Sequence, residues 1–238
     1  MTRTAAIREL LQDGARYDAA RLIELAGELD LPLADVLVLA GRPVPSSLLP
    51  PQRKPEVVRE FAYRVTFGDH PHLAALAAFA RSLAPPPGLD VPDEVTAAAP
   101  GTDRFPEILA AFLRNRGMGL SELPFTGLSR ATIRGMLGGG WHNLQQLKAM
   151  AGPLGWRYAD LAAVAGEPLG PVNDCSTMCH HVGKVYVAAI PLTTGQLIQV
   201  AEHADRLSGR QDRGAWQPWA QRTDTCPDGE DPYRPLIS

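Results

Sequence analysis

Three cysteines and several histidines in the last third of the sequence have the side-chain types that bind zinc. Cys175 and Cys179 are followed directly by His180 and His181, and Cys226 lies further along the chain. Thiolate and imidazole groups are common zinc ligands, although this spacing is not that of a well-known finger motif. Two interpretations stay open: a structural zinc site at Cys175, Cys179, His180 and Cys226, or free thiols beside surface histidines.

A second group of residues could bind a polyanion. Arg130 and Arg134 lie four residues apart in a segment, residues 128 to 137, whose apolar residues recur at helical spacing. This spacing places both guanidinium groups, together with Ala131, on one outward face, where they could contact guanine edges or phosphates. Ser129 can cap this helix, and the free N–H groups at a helix N-terminus also bind phosphate.

The sequence contains no common enzyme motif. It has no Gly-rich phosphate loop after a strand, no Gly-x-Ser-x-Gly elbow and no helical pair of metal-binding histidines. A cysteine–histidine nucleophile would also lack a recognisable third residue to orient it. We therefore expect a protein that is not an enzyme and has no cofactor beyond the candidate zinc.

Composition and charge limit the class of protein further. The chain has 238 residues, of which 45% are hydrophobic, and a net charge of −3. The middle segment, residues 104 to 170, differs, because it carries seven Lys and Arg against four Asp and Glu, a net charge of +3. No stretch approaches a membrane span and no signal pattern begins the chain, so we expect a cytoplasmic protein without membrane contact.

Proline and glycine divide the sequence into four segments. The run from Ala84-Pro85-Pro86-Pro87-Gly88 to Pro100-Gly101 cannot sustain a helix or a central strand, so residues 85 to 103 are interpreted as a linker. The pattern predicts a helical domain over residues 1 to 84, a second helical domain over 104 to 170, and a C-terminal segment over 171 to 238.

An internal repeat relates the first two of these helical segments. Residues 22 to 43 recur as residues 147 to 168, with nine identical positions and no gap. One residue of slack also aligns Ala6-Ile7-Arg8 with Thr132-Ile133-Arg134. The apolar spacing predicts amphipathic helices with buried stripes in both copies, so the repeat indicates a duplication.

The C-terminal segment is expected to combine one strand with one helix. Residues 182 to 190 are rich in β-branched and apolar residues and are followed by Pro191, which predicts a strand. Thr193 or Thr194 can cap a helix that continues to Leu207. The tail beyond Ser208 is polar, and its Trp216 and Trp219 are expected to pack.

The second helical segment has a recognisable order of short helices and turns. A helix that contains Pro106 ends near Gly117, a short helix at Ser121-Glu122-Leu123 is broken by Pro124, and Thr126-Gly127 forms a turn before the Ser129-capped helix. An amphipathic helix and an Ala-Asp-Leu helix then follow. This order resembles the five-helix domain of the Cro/C1-type (XRE) helix-turn-helix family over residues 104 to 170. The overall fold class is therefore expected to be mainly α.

The resemblance implies a set of DNA-contacting residues. In that family the third helix enters the major groove, so Ser129, Arg130, Ala131 and Arg134 are the implied contacts with double-stranded DNA. Gly135 and the run from Gly138 to Gly140 are expected to lower the stability of this helix by roughly 1 kcal/mol per glycine.

The first segment matches only the last three helices of the pattern, over about residues 3 to 45. Residues 55 to 65 and 72 to 83 could supply the two missing helices in permuted order. Glu9 and Asp13 on its first helix favour a packing or dimer role for this copy.

Two functions are therefore considered. The first is a sequence-specific DNA-binding protein, a transcriptional regulator that forms a homodimer or binds a protein partner. The second is a protein-interaction module that keeps the helix-turn-helix fold without DNA binding. The arginine positions favour the first, and the acidity of the flanking segments favours the second.

Overall fold

A computed structural model describes residues 2–66, 70–84, 104–120, 123, 126, 128–140, 142–168 and 177–208. These ranges contain eleven α-helices and no β-strand, which confirms a mainly α protein. The helices are α1 (Arg3–Asp13), α2 (Ala19–Glu28), α3 (Leu33–Leu39), α4 (Pro55–Thr66), α5 (His70–Leu83), α6 (Phe105–Asn115), α7 (Arg130–Leu137), α8 (Leu144–Leu154), α9 (Tyr158–Val164), α10 (Thr177–Ala188) and α11 (Thr194–Leu207).

Short polar side chains begin five of these helices. Thr2, Asp18, Ser129, Asn143 and Thr193 each accept a hydrogen bond from the backbone N–H three residues later. Such bonds satisfy one of the four N–H groups that a helix leaves without an internal partner. The expected caps at Ser129 and Thr193 are therefore confirmed.

The strand predicted for residues 182 to 190 is wrong, because most of this segment belongs to helix α10. Val182, Val185, Tyr186 and Ala189 are all buried at the three- and four-residue spacing of a helix. Gly183 lets α10 approach α8 closely, since a Cβ atom there would lie 2.2 Å from the Cα atom of Gly155. Burial against neighbouring helices has overridden the β propensity of the valines.

Helices from the two ends of the chain form a four-helix bundle. Helix α4 packs against α11, and α5 packs against both α10 and α11. The rings of Phe61 and Tyr186 meet edge to face, with centroids 5.5 Å apart, and the Tyr186 hydroxyl donates a hydrogen bond of 3.2 Å to the carbonyl of Ala62. The bundle therefore joins residues before and after the Pro-rich segment.

The remaining helices extend the same core. Helix α1 packs against α9, α3 packs against α6, and α8 packs against both α9 and α10. Buried residues from residue 6 to residue 200 belong to a single apolar cluster. Helices of the segments 1 to 84, 104 to 170 and 171 to 238 thus share a core. The linker, residues 85 to 103, lies outside the described residues, and the domain boundaries stay a prediction.

The two copies of the repeat form three helices each, α1 to α3 and α7 to α9, at matching positions. Asp18 and Asn143 cap the second helix of their copies. Gly41 and Gly166 follow the third helix with φ angles of 69° and 73°, a conformation that glycine adopts at little cost. None of the described helices combines the length and the apolar character needed to cross a membrane.

Candidate nucleic-acid interface

Helix α7 is held in place by its cap and by two buried side chains. The Ser129 hydroxyl accepts a hydrogen bond of 3.0 Å from the Thr132 backbone N–H. Ile133 and Met136 are 0% and 1% exposed on the inner side. The helix is therefore oriented by its apolar face, which leaves the opposite face available.

The outward face of α7 carries the residues selected from the sequence. Arg130, Ala131 and Arg134 are all exposed. Among the described residues, no carboxylate forms an ion pair with either arginine. Two solvated guanidinium groups thus lie beside a small alanine side chain, an arrangement that can bind phosphate oxygens or base edges.

The glycines near the end of α7 have two different roles. Gly135 lies within the helix, and a Cβ atom there would meet nothing within 4 Å. Gly138 to Gly140 form the turn that ends it. The N–H of Gly140 donates to the carbonyl of Gly135 at 2.8 Å, and Gly139 has a φ angle of 79°. Only Gly135 therefore weakens the helix interior, while the other three terminate it.

Helix α6 adds a third cation beside α7. Arg114 is exposed near the end of α6 and borders an open groove of about 450 Å³. Leu137 at the end of α7 lines the other side of this groove, and the full lining is Ala110, Leu113, Arg114, Gly117, Met118, Gly119, Leu120 and Leu137. Sequence reasoning did not select Arg114, whose only signal was its position one turn before Gly117.

The segment between α6 and α7 is described only in part. Ser121, Glu122, Pro124 and Gly127 lie outside the described residues, so the predicted short helix and its proline break are not placed. Leu123 is fully buried. The Thr126 side chain accepts a hydrogen bond of 3.2 Å from the Leu128 N–H and donates one of 2.8 Å to the Leu123 carbonyl.

A buried carboxylate holds the C-terminal end of α6. The Asp35 side chain in α3 is 0% exposed and accepts hydrogen bonds from the Asn115 amide at 2.9 Å and the Trp156 indole at 2.9 Å. The Arg116 guanidinium donates two more, at 3.1 and 2.6 Å. Such a bidentate, charge-assisted pair fixes both position and orientation. Asp35 therefore ties α6 to α3 and to the loop before α9.

Asp160 is the counterpart of Asp35 in the second copy of the repeat. It is 2% exposed and accepts a hydrogen bond from the Arg3 guanidinium at the start of α1. Each aspartate thus binds an arginine from the other of the two helical segments, 1 to 84 and 104 to 170. Sequence reasoning missed both sites, although an aspartate inside the apolar runs at residues 34 to 40 and 159 to 165 was a visible signal.

Arg53 reinforces the same region from the segment before α4. Its guanidinium donates to the carbonyls of Ala189 at 2.6 Å, Leu192 at 2.9 Å and Arg116 at 3.3 Å. The carbonyls of Ala189 and Arg116 directly follow helices α10 and α6, where backbone acceptors lack internal partners, and that of Leu192 lies in the connection from α10 to α11. Burial lowers the pKa of Arg53 to about 10, a value at which the side chain stays charged at neutral pH.

The candidate zinc ligands fall largely outside the described part of the chain. Cys175 and Cys226 are not described. Cys179 and His180 lie in the first turn of α10, but their side chains are not described either. Elsewhere in the described ranges, no group of three His, Cys, Asp or Glu side chains could hold a metal ion. The zinc site stays a prediction.

Comparisons with protein-family models, with curated proteins and with solved structures give no significant match to this chain.

Proposed function

We propose that this protein is a non-enzymatic, sequence-specific DNA-binding protein, a transcriptional regulator of the cytoplasm, whose unit from α6 to α9 acts as an XRE-like helix-turn-helix domain. One observation carries the proposal: Arg130 and Arg134 lie on the outward face of a Ser-capped helix and pair with no described carboxylate. In a protein of net charge −3, two such neighbouring cations favour an anionic ligand.

The local geometry fits a duplex better than a small anion. Ala131 leaves the backbone of α7 accessible beside the two arginines, so the helix can approach base edges. Arg114 adds a third exposed cation on the adjacent helix, which we expect to contact DNA phosphates.

Recovery of bound DNA tests the proposal directly. Purified protein is incubated with fragmented genomic DNA, and the retained fragments are sequenced. We expect a discrete sequence to be enriched above the input. Retention of no DNA, or of fragments without any shared sequence, would contradict sequence-specific binding.

Substitution of the two arginines tests the site. If they contact phosphates, Arg130→Ala and Arg134→Ala should each weaken binding to all duplexes and lower the salt slope by about one. If either contacts a guanine, its loss should cost about 1–3 kcal/mol at one base pair. Ile133→Ala is the control, because it should lower thermal stability and reduce binding only through unfolding.

A protein-interaction module is the second candidate. The open apolar groove between α6 and α7, lined by Leu113, Met118, Leu120 and Leu137, favours it. A folded parent protein that retains no DNA would support this second function. A folded double Arg130→Ala, Arg134→Ala variant that binds DNA like the parent protein would instead show that α7 is not the contact helix.

Oligomeric state bears on both functions. Two DNA half-sites require either a homodimer or two contact helices in one chain. Light scattering of the free protein distinguishes these cases, because a homodimer has twice the 25.6 kDa mass of one chain.

The zinc site is proposed as a structural element of the C-terminal segment. Thiolates of Cys175, Cys179 and Cys226 with His180 would hold one metal ion, and a chelator should then lower the melting temperature. Elemental measurement of protein purified without added metal should give close to one equivalent of zinc. A much lower content, with melting unchanged by chelator, would identify the cysteines as free thiols.

A further inference from the structure

Helices α1 and α7 are equivalent elements of the repeat and share one burial pattern. Ile7 and Leu10 in α1 are fully buried, as are Ile133 and Met136, with which they align in α7. On the opposite side, Arg8 is exposed like Arg134. The two helices therefore present related outward faces.

The outward face of α1 carries side chains that commonly contact DNA bases. Ala5, Arg8 and Gln12 are all exposed and lie three and four residues apart, which places them on one face. In the described part of the chain, no carboxylate pairs with Arg8. Arginine commonly binds guanine and glutamine binds adenine in the major groove, while the alanine allows close approach.

The acidic residues of α1, Glu9 and Asp13, lie at the edge of this face and have their own partners. Glu9 accepts a hydrogen bond from the Tyr17 hydroxyl, and this bond raises the pKa of Tyr17. Asp13 lies 3.1 Å from the Arg16 guanidinium. Both carboxylates thus have partners within the same segment. The Arg16 guanidinium offsets the charge of Asp13, whereas the neutral Tyr17 hydroxyl leaves one negative charge at Glu9 for Arg8 to offset.

The four-helix bundle connects the two copies of the repeat, because it is built from helices that follow each copy. Helix α4, which follows the first copy, packs against α11, and α10, which follows the second, packs against α5. Helix α1 is also bound to the second copy through Arg3 and Asp160. One chain thus holds both related helices in a single folded unit.

We infer that α1 is a second DNA-contacting helix, with Arg8 and Gln12 as its contact residues, so that one chain contacts two half-sites. The inference rests on the proposed function, because it assumes that α7 binds DNA.

The experiment measures how variants in α1 and in α7 bind a long and a short DNA duplex. The probes are a duplex of about 40 bp that contains the enriched sequence and a duplex of half that length centred on the α7 footprint; adjacent half-sites lie about 10 bp apart. The proteins are the full chain, the Arg8→Ala, Gln12→Ala variant and the Arg130→Ala, Arg134→Ala variant. Arg81→Ala, an exposed arginine on α5, is the matched control. Circular dichroism melting confirms that each variant is folded.

We expect the α1 variant to bind the long duplex about ten-fold more weakly than the parent, and the short duplex equally well. Hydroxyl-radical footprinting should then show two protected patches for the parent and one for this variant. Sedimentation should give one chain per long duplex. Arg81→Ala should change none of these results.

The other outcomes separate the two proposals. An α1 variant that binds both duplexes like the parent, while the α7 variant loses binding, overturns the inference and leaves the proposed function standing. Two chains per duplex with an unaffected α1 variant would also overturn it in favour of a homodimer. If the α1 variant loses binding and the α7 variant binds like the parent, α1 is supported as a DNA contact and the α7 site is contradicted. No DNA binding by the parent protein overturns both proposals.

Discussion

Gly27 and Gly152 occupy the same position in the two copies of the repeat, but their surroundings differ. Gly152 is buried beneath α10, and a Cβ atom added to Gly183 would lie 2.7 Å from its carbonyl oxygen. Gly27 is exposed, and a Cβ atom there would meet nothing within 4 Å. The same local sequence is therefore a helix-packing site in one copy and an open surface in the other.

The two repeat aspartates differ in a similar way. Asp35 accepts four hydrogen bonds from three residues, and its partner Arg116 is 2% exposed. Asp160 binds Arg3, whose side chain is 19% exposed. A carboxylate that solvates a fully buried guanidinium is harder to replace than one whose partner reaches water. The two copies therefore share a fold, but their equivalent residues contribute different amounts to the stability of the protein.

The largest effect is expected at Asp35. Asp35→Ala leaves the Arg116 charge buried without a partner and should lower the free energy of unfolding by about 3–5 kcal/mol. Asp160→Ala should cost less, about 1–2 kcal/mol, because water can reach Arg3. Urea denaturation of both variants measures the difference. Equal losses would break the comparison, and Arg116→Met added to Asp35→Ala should recover part of the stability.

The contact of α10 with α8 is expected to give the next largest effect. Gly183→Ala would place a Cβ atom 2.2 Å from the Cα atom of Gly155, so the two helices must separate. Such overpacking should cost about 1–3 kcal/mol in thermal or urea unfolding. Gly195→Ala is the matched control on α11, since a Cβ atom there meets nothing within 4 Å. A Gly183→Ala protein as stable as the parent would contradict the close approach.

The caps of α7 and α1 provide a smaller test. Ser129→Ala removes the 3.0 Å bond to Thr132 N–H and should cost about 1 kcal/mol. Thr2→Ala removes a longer bond of 3.3 Å to Ala5 N–H at the exposed start of the chain and should cost less. Thermal unfolding of both variants shows which cap contributes more to stability. A greater loss at Thr2 would show that α1, not α7, depends more on its cap.

The smallest effect, and one of opposite sign, is expected at Gly27. Gly27→Ala lies within α2 at an open position, so it should stabilise the protein by about 0.5–1 kcal/mol through the lower entropy of the unfolded chain. The melting temperature should rise slightly. A fall would mean that another part of the chain occupies the space above Gly27.

Much of the helical framework could be predicted from the sequence. The apolar spacing of α2 and α8, and the caps at Ser129 and Thr193, depend on neighbours within one or two turns. The exposure of Arg130 and Arg134 also followed from local periodicity, because Ile133 fixes the buried side of the helix. Such features are determined by residues that are close in sequence.

Tertiary structure alone decided the features that depend on distant neighbours. Val182 and Val185 favour a strand locally, yet their burial against other helices places them in α10. From the sequence, Asp35 and Asp160 are recognisable only as polar residues in apolar runs. Their arginine partners lie 81 and 157 positions away, so no local pattern identifies them. The surroundings of Gly27 and Gly183 also depend on residues distant in the sequence. Whether a glycine is an open surface or a helix contact depends on the helix that covers it, and no local pattern encodes that neighbour.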